Sequence, residues 1–136
     1  MKKLIVFLFV FSLLTGCWER PTQSTQIQQT TPVDNVTIQI SDISPTGATV
    51  ILTDTNTEPY VYGEWYKIQH LTDGGWQDVP PVIDNYGFHE IGYLPNDKGE
   101  VTFVINWEWL YGSLPAGTYR LFKQVNIQEI TIEFTI

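Results

Sequence analysis

From Val36 onward the apolar positions recur at every second residue rather than at a helical period. Val36, Ile38 and Ile40 alternate with Thr37, Gln39 and Ser41, and Ala48, Val50 and Leu52 alternate with Thr49, Ile51 and Thr53. Val101, Phe103, Ile105 and Trp107 repeat the pattern against Thr102, Val104 and Asn106. Tyr119, Leu121 and Val125 follow, and Ile130, Ile132, Phe134 and Ile136 share one face at the end of the chain. Alternation of this kind marks half-buried strands, because successive side chains on a strand point to opposite faces. The pattern also predicts a long strand over about Tyr60–Leu71. The Asp73-Gly74-Gly75 turn then leads into a strand over Trp76–Val79, which Pro80-Pro81 ends because proline offers no N–H to a ladder. Residues 82–98 are less regular and hold one short expected strand near Phe88–Tyr93. No segment after the first 16 residues sustains helical periodicity for three turns. Seven to eight short strands in about 100 residues predict an all-β sandwich, in an order that fits strands A, B, C, C′, E, F and G.

The start of the chain reads differently. Lys2 and Lys3 precede an apolar stretch from Leu4 to Leu14, long enough for the core of a signal peptide and too short to cross a bilayer. Leu14-Thr15-Gly16-Cys17 follows and resembles the bacterial lipobox. The resemblance implies removal of residues 1–16, acylation of Cys17, and a stable lipid anchor on the extracytoplasmic face of the cell membrane. Residues 17–35, rich in Gln and Thr, have no apolar period and are expected to form a flexible tether. The globular domain is expected over residues 36–136.

Charge narrows the partners. The chain carries 7 basic and 15 acidic residues, a net charge of −8. Loss of Lys2 and Lys3 with the signal peptide moves the balance to −10. Nucleic acid needs a basic stripe and is excluded as an expected partner. The membrane is expected to be met only through the lipid, and the domain to be monomeric. Cys17 is the only cysteine, so the domain has no disulfide and relies on packing of its many aromatic side chains.

No catalytic constellation stands out. Ser24, Ser41, Ser44 and Ser113 lie in the tether, at strand ends or in loops, without a nucleophile-elbow context. His70 and His89 match no metal spacing, and the acidic residues form no EF-hand loop. No enzyme activity, metal or cofactor is expected.

Leu114-Pro115-Ala116-Gly117-Thr118-Tyr119 resembles the tyrosine corner of immunoglobulin-like sandwiches, where a buried Tyr hydroxyl bonds to backbone upstream. Together with Tyr62-Gly63-Glu64-Trp65-Tyr66-Lys67-Ile68, Asp73-Gly74-Gly75-Trp76 and the continuation to Lys123, it is similar to the bacterial Ig-like domain of lipoproteins and secreted proteins of Firmicutes. The resemblance implies an immunoglobulin-like β-sandwich and brings no catalytic residues. Trp65 has two readings. In a regular strand it faces outward, in phase with Lys67; a bulge at Gly63 would instead make it the buried Trp of strand C. If it faces outward, Trp65 and Trp76, with Lys67 and Arg120 or Phe122 nearby, are expected to form one partner-binding face. Two functions follow from different classes: an envelope module that binds a protein or glycan, or an inhibitor or immunity lipoprotein that blocks an incoming enzyme or phage component.

Overall fold

A computed structural model describes residues 29–136. The expected signal peptide, Cys17 and the tether up to residue 28 lie outside the described residues. Eight strands and one short helix follow in order: β1 (Gln29–Thr31), β2 (Val36–Ser44), β3 (Gly47–Asp54), β4 (Tyr66–Thr72), β5 (Gly75–Asp78), β6 (Glu100–Asn106), α1 (Glu108–Tyr111), β7 (Thr118–Val125) and β8 (Gln128–Thr135). They form two antiparallel sheets, one ordered β1-β8-β7-β4-β5 and the other β2-β3-β6. This is the immunoglobulin-like arrangement of A-B-E packed on G-F-C-C′, with β1 added at one edge.

The period-two pattern decides which faces meet. Val36, Ile38 and Ile40 of β2, Val50 and Leu52 of β3, and Val101, Phe103 and Ile105 of β6 are buried. They pack against Tyr66 and Ile68 of β4, Tyr119, Leu121 and Val125 of β7, and Ile130, Ile132 and Phe134 of β8. Trp107 ends the run from β6 fully buried; its ring meets Phe134 at 5.5 Å and its indole N–H donates to the Pro45 carbonyl at 2.9 Å. The β2–β3 turn passes close beneath β6, and a Cβ at Gly47 would collide with the Ile105 carbonyl.

Three expectations need correction. First, the domain begins before Val36. β1 pairs with β8, Thr31 donates its hydroxyl to that of Thr131 at 3.3 Å, and Val33 joins the core. Polar composition reads as tether, yet backbone pairing is indifferent to it, and β1 covers an edge of β8 that would otherwise stand open. Second, the strand expected over Tyr60–Leu71 begins only at Tyr66. Ahead of it Tyr62 forms an isolated bridge with Tyr93 and its neighbours detour from the sheet. Third, no strand forms over Phe88–Tyr93; its only ladder contact is that bridge.

Candidate functional site

Two buried charges hold the detour before β4. Asp54, at the end of β3, is nearly inaccessible, and its carboxylate accepts four hydrogen bonds. Oδ1 takes the Asn56 N–H at 2.9 Å and the Asn56 amide at 2.8 Å, while Oδ2 takes the Tyr60 N–H and the Tyr62 hydroxyl, both at 2.8 Å. Burial works to raise its pKa, but the backbone bonds from Asn56 and Tyr60, with the Tyr62 and Asn56 side chains, outweigh it and hold the pKa below its ordinary value. Lys123 lies on the inward face of β7 and is fully buried. Its ammonium donates to the Gly63 carbonyl at 2.7 Å and the Trp65 carbonyl at 2.9 Å, and stands 3.9 Å from the centre of the Phe103 ring. Burial pushes its pKa down to about 8, against a smaller opposing pull from Glu64. The carbonyls of residues 63 and 65 thus find a side-chain donor where a straight strand would have used backbone.

The detour opens the sandwich on the side of β6. A cavity of about 390 Å³ lies there, lined by Glu64, Tyr66, Gly87, Phe88, His89, the run Phe103 to Asn106, and Trp109. The rings meet edge to face: Tyr66 with Phe88 at 5.2 Å, Phe88 with Trp109 at 5.9 Å, and Tyr66 with Tyr111 at 6.3 Å. Tyr66 is buried, and its hydroxyl, near the Trp109 indole, has no partner in hydrogen-bond geometry. Burial first, and the neighbouring Tyr111 second, raise its pKa above the usual phenol range. On the rim, Glu64 accepts the Tyr93 hydroxyl at 2.8 Å through Oε1 and meets His89 Nδ1 at 3.2 Å through Oε2. Two of the lining residues, Trp109 and Val104 at 84 % exposure, are apolar and open to solvent, and the exposed Tyr86 meets Phe88 at 6.4 Å; Val82, Ile83, Ile91 and Leu94, in the segment between β5 and β6, are exposed as well. Exposed apolar side chains beside an open cavity favour an interaction surface. Among the described residues no group of three or more His, Cys, Asp or Glu stands together to hold a metal ion.

Four residues of the face expected around the tryptophans lie together. Lys67 lies 4.4 Å above the Phe122 ring, and Arg120 sits 4.5 Å from the Trp76 ring and 5.2 Å from that of Phe122. Arg120 also donates to the Gln69 side chain at 2.7 Å, which in turn donates to Asp78 at 2.7 Å. These groups are committed to one another. Trp65 precedes β4 and is half-buried, and Tyr66, not Trp65, takes the buried place at the start of that strand. Trp76 pairs with Leu71, six residues beyond Trp65, which is about 20 Å of extended chain. Tyr119 is buried, and its hydroxyl donates to the Pro115 carbonyl at 2.6 Å; Gly117 exchanges two backbone bonds with Ile136, and Leu114 lies in the core. His70 stacks on the Tyr119 ring at 4.6 Å.

The cavity residues escaped the sequence reading because they come from four separate segments. One signal was available: residues 82–94 are rich in apolar side chains yet lack the period of a strand. Lys123 carried a second, since it shares the parity of Tyr119, Leu121 and Val125.

Sandwich topology, core and edge arrangement together define an immunoglobulin-like domain. A family described as bacterial Ig-like domain matches residues 32–135, and the chain belongs to it. Membership points to a domain used for interaction rather than for catalysis. No curated protein and no solved structure matches the chain.

Proposed function

We propose that this protein is a non-enzymatic lipoprotein, held by Cys17 on the extracytoplasmic face of the cell membrane, whose Ig-like domain binds a protein or glycan of the envelope. The observation that carries the interaction reading is the open, aromatic-walled cavity between β4 and β6, with the exposed Val104 and Trp109 in its wall, on a domain of an interaction family. The anchor reading is supported by the first 17 residues: two lysines, an apolar core of signal-peptide length, and Leu14-Thr15-Gly16-Cys17. Two acyl chains or more give lasting attachment where one is marginal. Substitution Cys17→Ala tests it. The variant is expected in the medium or as an unprocessed precursor. Normal maturation with detergent-sensitive membrane attachment would refute the anchor. For the domain, the wild-type protein extracted from membranes is expected to retain an envelope component, and a Trp109→Ala variant to lose it at unchanged thermal stability.

A further inference from the structure

The edge of β6 differs from the other sheet edges of this domain. β1 is three residues long, β5 is four residues long and runs into Pro80-Pro81, and β2 is broken by a register shift between Ser41 and Ser44 at the positive φ of Asp42. Short strands, prolines and bulges are the means by which sheet edges are kept from pairing with other chains. β6 has none of them: seven regular residues, Glu-Val-Thr-Phe-Val-Ile-Asn, without lysine or proline.

Its backbone is open on one side. Glu100 turns away from β3: its carbonyl accepts the Asn96 N–H, and its own N–H donates to the Asn96 side chain, each at 3.0 Å. Trp107 points the other way and donates to Thr46 at 2.9 Å, at the β3 end of the sheet. Antiparallel pairing alternates along a strand, so Thr102, Val104 and Asn106 share the orientation of Glu100. Among the described residues no strand lies on that side, because β6 is the last of its sheet.

We propose that this edge takes an extended segment of a second polypeptide as a ninth strand, with an apolar side chain in the cavity and a lysine or arginine beside it. The proposal rests on the interaction reading above and names the partner's chemistry. The cavity runs along the same edge, from Phe103 to Asn106. In an added strand, side chains alternate between faces. Those on the side of Phe103 and Ile105 enter between the aromatic rings of Tyr66, Phe88 and Trp109. Those on the other side cover Val104. Charge selects the guest. None of the cavity residues is Lys or Arg, Glu64 lies on the rim, and Glu100 and Glu108 stand at the two ends of β6. Lys123 is withdrawn behind Phe103 with its ammonium on backbone carbonyls. Two copies of this domain edge to edge would set these carboxylates against each other, whereas a basic guest complements them. Main-chain pairing supplies affinity and the cavity supplies selection, as in other strand-addition complexes.

The test uses the full chain in detergent and a fluorescent nine-residue peptide alternating leucine and threonine, with a lysine at each end. Binding is read by polarisation and by hydrogen exchange at the Val104 amide. The peptide is expected to bind and to protect that amide. N-methylation of its alternate backbone nitrogens is expected to weaken binding about tenfold or more, since it removes at least two inter-strand hydrogen bonds. Glutamate in place of the end lysines is expected to weaken it further at low salt. Val104→Pro should abolish binding with little change in denaturation midpoint, because this N–H serves no bond within the sheet. The proposal is overturned if the peptide does not bind at about 1 mM, a weak affinity for a specific site. It is overturned equally if the N-methylated peptide binds as well as the parent, if a tetramer of N-acetylglucosamine displaces the peptide, or if the free chain dimerises with Val104 protected. Should Val104→Pro fail to fold, the N-methylated peptide decides. If wild type and Val104→Pro retain the same envelope component, the interaction reading stands and the β6 edge is not its site.

Discussion

Lys123 predicts how stability varies with pH. Its ordinary pKa of 10.5 falls to about 8 in the folded domain because burial disfavours the ammonium. A cation whose folded pKa is depressed costs stability while it is charged in both states. Between the two pKa values the unfolded chain binds more protons, so stability rises as pH rises through that window. With these two values, the gain from pH 7 to about 9.5 is about 2 kcal/mol. Above about pH 10 the sign reverses, because unfolded tyrosines release protons near their ordinary pKa while folded ones keep theirs. Tyr62 and Tyr66 are both held well above that value, first by burial, and Tyr111 is pushed up to about 12 for the same first reason. A stability maximum is therefore expected between about pH 9 and 10, above the usual range for folded domains. Urea denaturation of wild type and Lys123→Met at pH 7, 8.5 and 9.5 measures it. Methionine has similar bulk and no charge, so the variant should lose the rising slope. Its overall stability also reflects the Gly63 and Trp65 carbonyls left without their donor, which is why the slope and not the midpoint is the readout. A flat profile in the wild type, or the same slope in Lys123→Met, would refute the assignment.

Two further substitutions probe the framework. Tyr119→Phe keeps the ring contacts with His70 and Phe134 but removes the bond to Pro115, and should cost about 0.5–1.5 kcal/mol in urea denaturation; an unchanged midpoint would count against a structural role for that hydroxyl. Asp54→Asn replaces one acceptor oxygen by a donor facing other donors, and should cost about 2 to 4 kcal/mol at neutral pH. Because the folded pKa of Asp54 is lowered, its contribution is present above its ordinary value of 3.8 and lost as pH falls below it. The difference between wild type and Asp54→Asn should therefore shrink in acid, and a constant difference down to acid unfolding would show that the carboxylate's charge is not what matters.

The strands of the sandwich were legible because each one facing the core repeats apolar residues at period two, as Val101, Phe103, Ile105 and Trp107 do before they fill one side of it. The long strand over Tyr60–Leu71 was misread for the same reason. Tyr60, Tyr62, Tyr66 and Ile68 keep strand parity, but parity does not say which partner a backbone finds. Tyr62 is fully buried in a bridge with Tyr93 and not in a ladder with β7. β1 was illegible because Gln29–Thr31 contains no apolar residue and is paired through its backbone with the edge of β8. The cavity was illegible because its wall is assembled from Glu64, Phe88, Phe103 and Trp109, which no spacing in the sequence connects.

The misread strand and the missed cavity share one physical origin, which also explains why the site exists. An uninterrupted strand over residues 60–71 would need backbone partners for Gly63 and Trp65. Here the Lys123 ammonium takes both carbonyls, and Asp54 draws in the Tyr60 N–H and the Tyr62 hydroxyl. Each of these charges is costly to bury, and each is tolerated because its hydrogen-bonding capacity is directed at one short stretch of chain. The result is a detour that carries Tyr62 across to Tyr93 and places Glu64 and Tyr66 at the mouth of the sandwich. Residues 82–98 are thereby tied down at Tyr93 instead of forming a strand beside β6. An intact strand there would have satisfied the open backbone of Thr102, Val104 and Asn106 and filled the space in front of Phe103. The two buried charges and the unpaired edge are thus parts of one arrangement. Loosening Gly63 and Trp65 by Lys123→Met should be felt at Glu64 and Tyr66 in the cavity wall before it is felt in the ladders of either sheet.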